Sequence, residues 1–391
     1  MNAPPTPAGG SPLEGQLAIR LRTCDAEVTD VQIESTRQPG VSAVFQDKTV
    51  ADALQMLPRL YSVCGVAQAC AGVRACEQAL GVSACEATEG LRNHLLTLET
   101  VREHLWLILL DWPVLLGETP QQMGMTDILA LQRDYRQVVC SGANPFLPGV
   151  AVEAVDPARD LECLRMLGEI LERSVFGVSP AQWLLFEEPE TLRAWAAQGT
   201  TVAARMVHHV QGSGWQASGR CDSAPLEQQE AMSIGQSLQD DDFLRQPDVS
   251  GKCRETTAFT RTASPLLQHL QELHGKALLP RLVARLTEMA QLSQAIARPS
   301  AAWPCGQFGS GDAGFSWVTA ARGQLMHSVR LVGEYVGDYS ILAPTEWNFH
   351  PRGVAAAGLA RLKGDRAAIE RQAKLVINAI DPCVGYELVI N

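Results

Sequence analysis

The apolar residues of this 391-residue chain change their spacing along its length, and this constrains the fold more than any other feature. Residues 16–22 and 27–35 alternate apolar and polar side chains, which predicts an N-terminal β-hairpin. From residue 50 to about 297, apolar residues recur at spacings of three and four, as in amphipathic helices. Residues 315–342 alternate again and predict a small antiparallel sheet, and residues 367–379 predict a closing helix. The predicted class is therefore α+β and mainly α, because strands and helices do not alternate as they do around a parallel sheet.

Composition indicates how the chain is divided. Residues 1–15 are rich in Pro, Gly and Ala, which predicts a flexible tail, and residues 16–391 are predicted to form a single domain. Hydrophobic residues make up 46% of the chain and charged residues 19%, so it can bury a sizeable core. Residues 212–264 are rich in Gly, Ser, Gln and Asp and are predicted to be a loop-rich excursion.

Charge and hydropathy disfavour two classes of partner. The net charge of −11 argues against general nucleic-acid binding, which requires a basic face. No uninterrupted apolar run reaches the roughly 18 residues that span a bilayer, and the longest candidate, 105–116, is broken by Asp111 and Pro113. The N-terminal residues lack the basic and apolar regions of a signal peptide. We therefore expect a cytoplasmic protein that binds neither nucleic acid nor membrane.

The chain contains 11 cysteines without a CxxC pair. A disulfide framework is not expected in a chain of this length that shows no export signal. Most of these cysteines are expected to be small buried residues. The functional question is whether one or two of them bind a metal.

Four short segments stand out from the rest of the sequence. Residues 59–68 read RLYSVCGVAQ, and residues 381–389, near the C-terminus, read DPCVGYELV. Between them lie 320–327, AARGQLMH, and 344–352, PTEWNFHPR. Together these segments resemble, in the same order, the RxCGxCxxxH, APRGxLxH, PTxWNxxPR and DPCxxCxxH motifs of the large subunit of nickel–iron hydrogenases. The resemblance implies the fold of that subunit.

The four motif cysteines of that family hold the metals, and only half of them are present here. Cys64 and Cys383 match one cysteine of each pair, whereas Tyr61 and Tyr386 replace the other two. Tyrosine is a hard ligand that titrates near ~10, so it cannot replace a thiolate in the sulfur-rich site that nickel needs. The resemblance therefore implies a protein without stable nickel and without hydrogenase activity.

Further positions of the motifs are also altered. Arg59 occupies the position of the motif arginine, whereas Gln68 and Val389 replace the two histidines. Ser42 stands where the RGxE motif of the active enzymes has its glutamate. These changes also favour a non-catalytic relative.

The iron half of the family site is better preserved. In the family, iron carries two cyanides and one carbon monoxide, and the cyanides accept hydrogen bonds from an arginine and from a hydroxyl residue that follows a proline. These positions are Arg322, Thr345 and Pro344 here, which makes them candidate cargo-binding residues beside the candidate iron ligands Cys64 and Cys383. Other interpretations remain open: the cysteines could be inert, Arg322 could form a structural ion pair, and Thr345 could cap a turn.

The resemblance is to the HupK/HoxV type of hydrogenase maturation protein. It implies a non-catalytic scaffold or carrier for the Fe(CN)2(CO) group, with a HypC-type chaperone and the hydrogenase large subunit as partners. One alternative is a cofactor-free chaperone that protects the large subunit. An active nickel–iron redox enzyme and a quinone-binding relative from respiratory complex I, which shares this fold, are less favoured.

Overall fold

The computed structural model describes residues 15–37, 39–140, 142–295 and 305–391. Residues 1–14 of the predicted tail lie outside this range. The α-helices of the described residues are α1 (Val50–Leu60), α2 (Gly65–Leu80), α3 (Glu86–Trp106), α4 (Trp112–Leu115), α5 (Met123–Val139), α6 (Pro157–Leu171), α7 (Pro180–Trp183), α8 (Pro189–Gln198), α9 (Val202–Gly212), α10 (Gln228–Ile234), α11 (Asp241–Arg245), α12 (Ala258–Arg261), α13 (Pro265–His274), α14 (Leu278–Ala295), α15 (Pro344–Asn348), α16 (Val354–Leu359) and α17 (Arg366–Ile380). Short 3-10 helices span Pro39–Phe45, Ser62–Cys64 and Ser237–Gln239, and π-helical turns span Leu107–Asp111 and Glu172–Phe176.

The strands form three sheets. They are β1 (Leu17–Cys24), β2 (Glu27–Ser35), β3 (Ala224–Pro225), β4 (Arg254–Glu255), β5 (Cys305–Ser310), β6 (Ala313–Ala320), β7 (Gly323–Val332), β8 (Tyr335–Leu342) and β9 (Tyr386–Ile390). The order is β2-β1-β9 in the first sheet, β3-β4 in the second and β5-β6-β7-β8 in the third, which is antiparallel throughout. The predicted class, mainly helical with an N-terminal hairpin and a small antiparallel sheet, is confirmed.

Strand β9 joins the two ends of the chain. It pairs with β1 in parallel, with Leu17 opposite Tyr386 and Leu21 opposite Ile390. The N-terminal hairpin therefore holds the residues that follow Cys383, which places the C-terminal motif against the body of the domain.

Helix α2 lies at the centre of the core because its side chains are small. Alanine, glycine and cysteine dominate its sequence, and most of the helix is buried. Glycine in β6 permits close packing: a Cβ atom on Gly314 would lie 1.9 Å from the carbonyl oxygen of Ala75 in the helix. The helix that begins beside Cys64 is thus fixed between the four-stranded sheet and its neighbouring helices.

The segment 212–264 carries more structure than its polar composition indicates. It contains α10, α11 and α12 and the short paired strands β3 and β4. Leu226, Leu238 and Leu244 are buried there, in a small apolar cluster with Trp317 and Trp347. Sparse leucines at irregular spacing therefore anchor the segment to the sheet.

Within the described ranges, no helix has the length and apolar character needed to cross a membrane.

Candidate functional site

Cys64 lies at the start of the central helix. It is the last residue of the 3-10 turn Ser62–Cys64 and immediately precedes α2. Gln68 is one helical turn further on, so its side chain lies on the same face, and its Nε2 atom is 3.7 Å from the Cys64 Sγ atom. Gln68 is buried, and its Oε1 atom has no hydrogen-bond partner among the described residues.

The first turn of α2 is capped by a side chain from another helix. The two carboxylate oxygens of Glu99, in α3, each accept a hydrogen bond at 2.8 Å, from the backbone N–H groups of Val66 and Ala67. Burial nevertheless raises the pKa of Glu99 to about 7, although Arg102 and these N–H groups lower it. The cap holds the helix start, and with it the backbone of Cys64, in place.

Cys383 lies between α17 and β9, outside any helix or strand. Asp381 leaves the helix with a left-handed φ of 70°, which turns the chain back toward the core. The backbone N–H of Cys383 donates to the Thr345 hydroxyl oxygen at 2.9 Å. Burial raises the pKa of the Cys383 thiol, whereas Arg322, the hydroxyl of Thr345 and Arg37 lower it.

Arg322 lies in the tight turn between β6 and β7, and its backbone is held from two sides. The amide of Asn348 donates to the Arg322 carbonyl oxygen at 3.0 Å, and Arg261 donates to the carbonyl oxygen of Ala321 at 2.9 Å. Gly323 follows with a φ of 140°, and a Cβ atom there would meet the backbone and side chain of Thr256. The turn therefore has little freedom to move the arginine.

The guanidinium of Arg322 is ion-paired on two of its nitrogens. Nη1 donates to Glu103 at 2.8 Å and Nε donates to Asp381 at 3.0 Å, while Arg285 lies 3.4 Å from the other oxygen of Asp381. Within the described part of the chain, no hydrogen bond engages Nη2. Arg322 is thus a structural ion-pair residue that still retains one donor for a ligand.

The candidate residues meet at one small cavity. Cys64, Cys383, Arg322, Pro344 and Gln68 line it, so the motifs that are far apart in sequence converge as predicted. Its volume of about 20 Å³ is close to that of one water molecule. Thr345 does not line this cavity; it lines a separate outer cavity, and its hydroxyl reaches the site only by accepting the backbone N–H of Cys383.

A larger groove lies next to the small cavity and shares part of its lining. It has a volume of about 450 Å³, and Val63, Arg322 and Cys383 line both the groove and the small cavity. Trp106 and Leu129 stand at the groove as exposed apolar side chains. The thiol site is therefore separated from an open surface by a few side chains.

The two thiols influence each other. Burial raises the pKa of the Cys64 thiol well above its ordinary value, and nearby Cys383 and Glu99 raise it further. The hydrogen bond from Gln68 and the charge of Arg322 act in the opposite direction. Burial therefore favours the protonated form of both thiols, and a metal must displace protons to bind them.

The residues at the other family motif positions do not all lie at this cavity. Tyr61 is buried and lines the cavity, whereas Tyr386 lies in β9 and lines the groove. Burial and the nearby Asp111 raise the pKa of Tyr386 to about 12. Val389 is paired with β1. Arg59, which occupies the position of the motif arginine, is exposed in the last turn of α1 and does not line the cavity.

Sequence reasoning missed Arg37 and Glu346. Arg37 lies just after β2 and lines the thiol cavity, and its Nη1 atom is 3.4 Å from a carboxylate oxygen of Glu346. Arg37 belongs to no motif, and Glu346 occupies the variable position of its motif, so neither could be identified as a site residue from the motifs. Ser42, in place of the family glutamate, lines an outer cavity with both of them.

The fold and the site place the chain in a known class. The large-subunit fold of a Ni-Fe-Se hydrogenase from Desulfovibrio vulgaris Hildenborough superimposes with a TM-score of 0.61 at 15% identity, covering 92% of this chain and 94% of that chain. The corresponding enzyme from Desulfomicrobium baculatum gives a TM-score of 0.60 at 16% identity, covering 93% and 95%. The protein thus has the hydrogenase large-subunit fold.

Sequence similarity narrows the class to one family. The chain is 35% identical over 356 residues to the hydrogenase expression/formation protein HoxV of Cupriavidus necator, covering 85% of each. It is 30% identical over 396 residues to the hydrogenase expression/formation protein HupK of Bradyrhizobium diazoefficiens, covering 95% of this chain and 96% of the relative. No protein-family model matches. The chain belongs to the HoxV/HupK family of hydrogenase expression/formation proteins.

Proposed function

We propose that this protein is a non-catalytic maturation factor that holds an Fe(CN)2(CO) group between Cys64 and Cys383 and passes it to a nickel–iron hydrogenase under assembly. The names of its relatives, hydrogenase expression/formation proteins, support the maturation role. The hydrogenase fold supports a cargo related to the active site of those enzymes.

The observation that carries the proposal is the donor set around the cavity. Two thiols from opposite ends of the chain line one cavity, which Arg322 also lines, and the hydroxyl of Thr345 accepts the backbone N–H of Cys383. Two thiolates and three diatomic ligands would give five-coordinate iron. Arginine and hydroxyl donors suit the anionic cyanides, which accept hydrogen bonds.

The same donor set suits an iron group that brings its own ligands better than a bare ion. Among the described residues, no group of three or more His, Cys, Asp and Glu side chains is placed to hold a metal ion. Tyr61 at the cavity and Tyr386 at the groove do not restore the two missing thiolates. We therefore expect no bound nickel and no hydrogen turnover.

Loading must widen the cavity. Three diatomic ligands need more than the space of one water molecule, and the small cavity has about 20 Å³. The nearby groove offers room because Val63, Arg322 and Cys383 form the wall between them. The thiols lose two protons when iron binds, so lower pH should favour release.

The partners that fit this role are a HypC-type chaperone, which would deliver the iron group, and the hydrogenase large subunit, which would receive it. We expect the transfer to take place in the cytoplasm. The groove that reaches Cys383 is the open side of the site.

The test is infrared spectroscopy of protein purified without oxygen from cells that express the maturation partners, with iron and nickel counted on the same sample. We expect carbonyl and cyanide bands and iron without nickel, and loss of the bands in Cys64→Ser and in Cys383→Ser. Cys253→Ser is the matched control, because Cys253 is also half-buried but lies outside the cavity. Absence of iron and bands from the unaltered protein, alongside its partners, would refute the proposal.

The alternative is a cofactor-free chaperone that protects the hydrogenase large subunit. The small volume of the cavity and the two ion pairs of Arg322 are the observations that favour it. It predicts that Cys64→Ser and Cys383→Ser leave hydrogenase maturation intact in cells, whereas the carrier function predicts its loss.

A further inference from the structure

Strand β9 lies at the edge of its sheet, and β1 is its only partner among the described strands. In this parallel ladder the backbone N–H of Leu17 donates to the carbonyl oxygen of Gly385 at 3.0 Å, and Leu17 lies opposite Tyr386. The residues of β9 that bond to β1 are therefore 385, 387, 389 and 391. The backbone N–H and C=O groups of Tyr386 and Leu388 point away from β1.

The outward backbone groups of Tyr386 and Leu388 have no hydrogen-bond partner within the described ranges, and neither residue is buried. The edge is closed at one end, where the carbonyl oxygen of Ile390 accepts a hydrogen bond from Arg366 of α17. It is open at the other end, because Tyr386 also lines the groove of about 450 Å³ that reaches Cys383. The unpaired edge of β9 therefore runs into the groove beside the thiol site.

An unpaired strand edge is a template for one more strand. An extended polypeptide segment can pair its own N–H and C=O groups with those of the edge, as in peptide-binding domains that add a ligand strand to a sheet. The backbone of β9 thus fits an extended segment of another chain, which would continue from the edge into the groove.

The groove indicates which side chains such a segment would carry. Asp111 lines it, and no described residue forms an ion pair or a hydrogen bond with the Asp111 carboxylate. The two arginines of the groove, Arg102 and Arg322, are both paired with Glu103, at 2.6 and 2.8 Å. Trp106 stands at the same groove and is 45% exposed. An unpaired carboxylate near an exposed indole suits a Lys or Arg side chain, which can bind both groups.

We propose that the outer edge of β9 and the adjoining groove form the docking site for an extended segment of a protein partner, with a Lys or Arg of that segment bound by Asp111 and Trp106. The segment adds a strand to the sheet β2-β1-β9, and the groove brings it to Cys383. The inference rests on the proposed function only for the identity of the partner, which is then the protein that delivers or receives the iron group. Strand pairing itself requires no iron.

The first test is hydrogen exchange of the metal-free protein, resolved to single residues. In the protein alone, the N–H groups of Glu387 and Val389, which bond to β1, should exchange slowly, and those of Tyr386 and Leu388 should exchange rapidly. The purified HypC-type chaperone and the purified hydrogenase large subunit are then added separately. At least one of them should slow exchange at Tyr386 and Leu388 several-fold.

Two pairs of variants separate the backbone edge from the charge. Leu388→Pro removes an outward N–H without removing a bond to β1, so the affinity for the partner should fall several-fold. Leu388→Ala is its control, because it keeps the N–H. Asp111→Asn should weaken binding and make it less sensitive to salt. Glu153→Gln, at an exposed carboxylate outside the groove, should change neither.

The inference is overturned if neither protein binds, or if one binds and exchange at Tyr386 and Leu388 stays rapid. An equal loss of affinity in Leu388→Ala and Leu388→Pro would also overturn it, because the side chain and not the edge would then be recognised. Slow exchange that depends on protein concentration alone, with the mass of a dimer in light scattering, would mean that a second copy occupies the edge, which contradicts the assignment to a partner.

The docking site and the proposed function can fail separately. Cys383→Ser should dock normally, since pairing with β9 does not use the thiol, although it should lack the carbonyl and cyanide bands. Protection of the edge in a protein that never shows those bands would refute the carrier function and support the docking site. Bands in the unaltered protein without protection of the edge by either partner would support the carrier function and refute the docking site.

Discussion

Glu99 makes the stability of this protein depend on pH in a way that one substitution should remove. Its carboxylate caps the helix that begins at Cys64, yet burial raises its pKa from an ordinary value of 4.5 to about 7. In the unfolded chain the carboxyl group ionises near its ordinary pKa. Between these two values the unfolded state releases a proton that the folded state retains.

The raised pKa of Glu99 in the folded state determines how the free energy of unfolding changes with pH. A group whose pKa is raised in the folded state contributes stability below its unfolded pKa, and that contribution is lost as pH rises through the folded pKa. For Glu99, the contribution lost between about pH 5 and about pH 7.5 is on the order of 2 kcal/mol. Glu99→Gln cannot ionise, so it should lack this part of the pH dependence.

The measurement is urea unfolding of the unaltered protein and of Glu99→Gln at both ends of that range. The glutamine offers one oxygen to two N–H groups, so the variant should start about 1–3 kcal/mol less stable at low pH, and the gap should narrow as pH rises. Glu169→Gln, on the exposed side of α6, is the control. A gap that stays constant across the range would refute the reasoning.

Three further substitutions test how the site is supported. Thr345→Val removes a hydroxyl that accepts the backbone N–H of Cys383 and that lowers the pKa of the Cys383 thiol. The free energy of unfolding of the variant should be about 1–3 kcal/mol lower, and Cys383 should be alkylated more slowly at neutral pH. Asn348→Ala frees the turn that carries Arg322 at a cost of about 2 kcal/mol, so the melting temperature of this 391-residue chain should fall by about 2–3 °C. Gly314→Ala places a Cβ atom 1.9 Å from a carbonyl oxygen of α2, so little soluble protein should accumulate in a fractionated lysate.

Much of the fold could be predicted because its elements leave local patterns. Alternation predicted the hairpin at 17–35, and spacings of three and four predicted the helical body. The pairing of β9 with β1 left no such pattern, because it joins residues that are more than 360 positions apart, Leu17 and Tyr386 among them. Strand β5, which contains two glycines and no β-branched residue, also lacks the composition of a strand.

The residues that line the cavity could be predicted where they lie in a sequence motif. Cys64, Cys383, Arg322 and Pro344 converge on one cavity because each lies in a motif whose order the fold maintains. Electrostatic partners were not predictable in this way. Asp381 belongs to a motif, but its pairing with both Arg322 and Arg285 depends on the left-handed turn after α17.

The two thiols of the site are held unequally, which has a consequence for release of the proposed iron cargo. Cys64 is fixed at the start of a buried helix, whereas Cys383 lies in a short link between α17 and β9 and lines the open groove. The geometry of the link depends on the ion pairs of Asp381, whose φ of 70° is unfavourable for a residue other than glycine. Under the proposed carrier function, we therefore expect the bond between Cys383 and the iron group to break first during transfer.

Asp381→Asn tests this order. It retains a side chain of the same size but removes the charge that holds Arg322 and Arg285, so the link should loosen while the helix at Cys64 stays in place. Iron loaded onto the variant should be lost to a chelator several-fold faster than iron on the unaltered protein, as followed by the decay of the carbonyl band. Glu99→Gln loosens the other end of the site, at Cys64, so it should accelerate the loss less. Equal acceleration by both variants would mean that the two thiols release the iron group together.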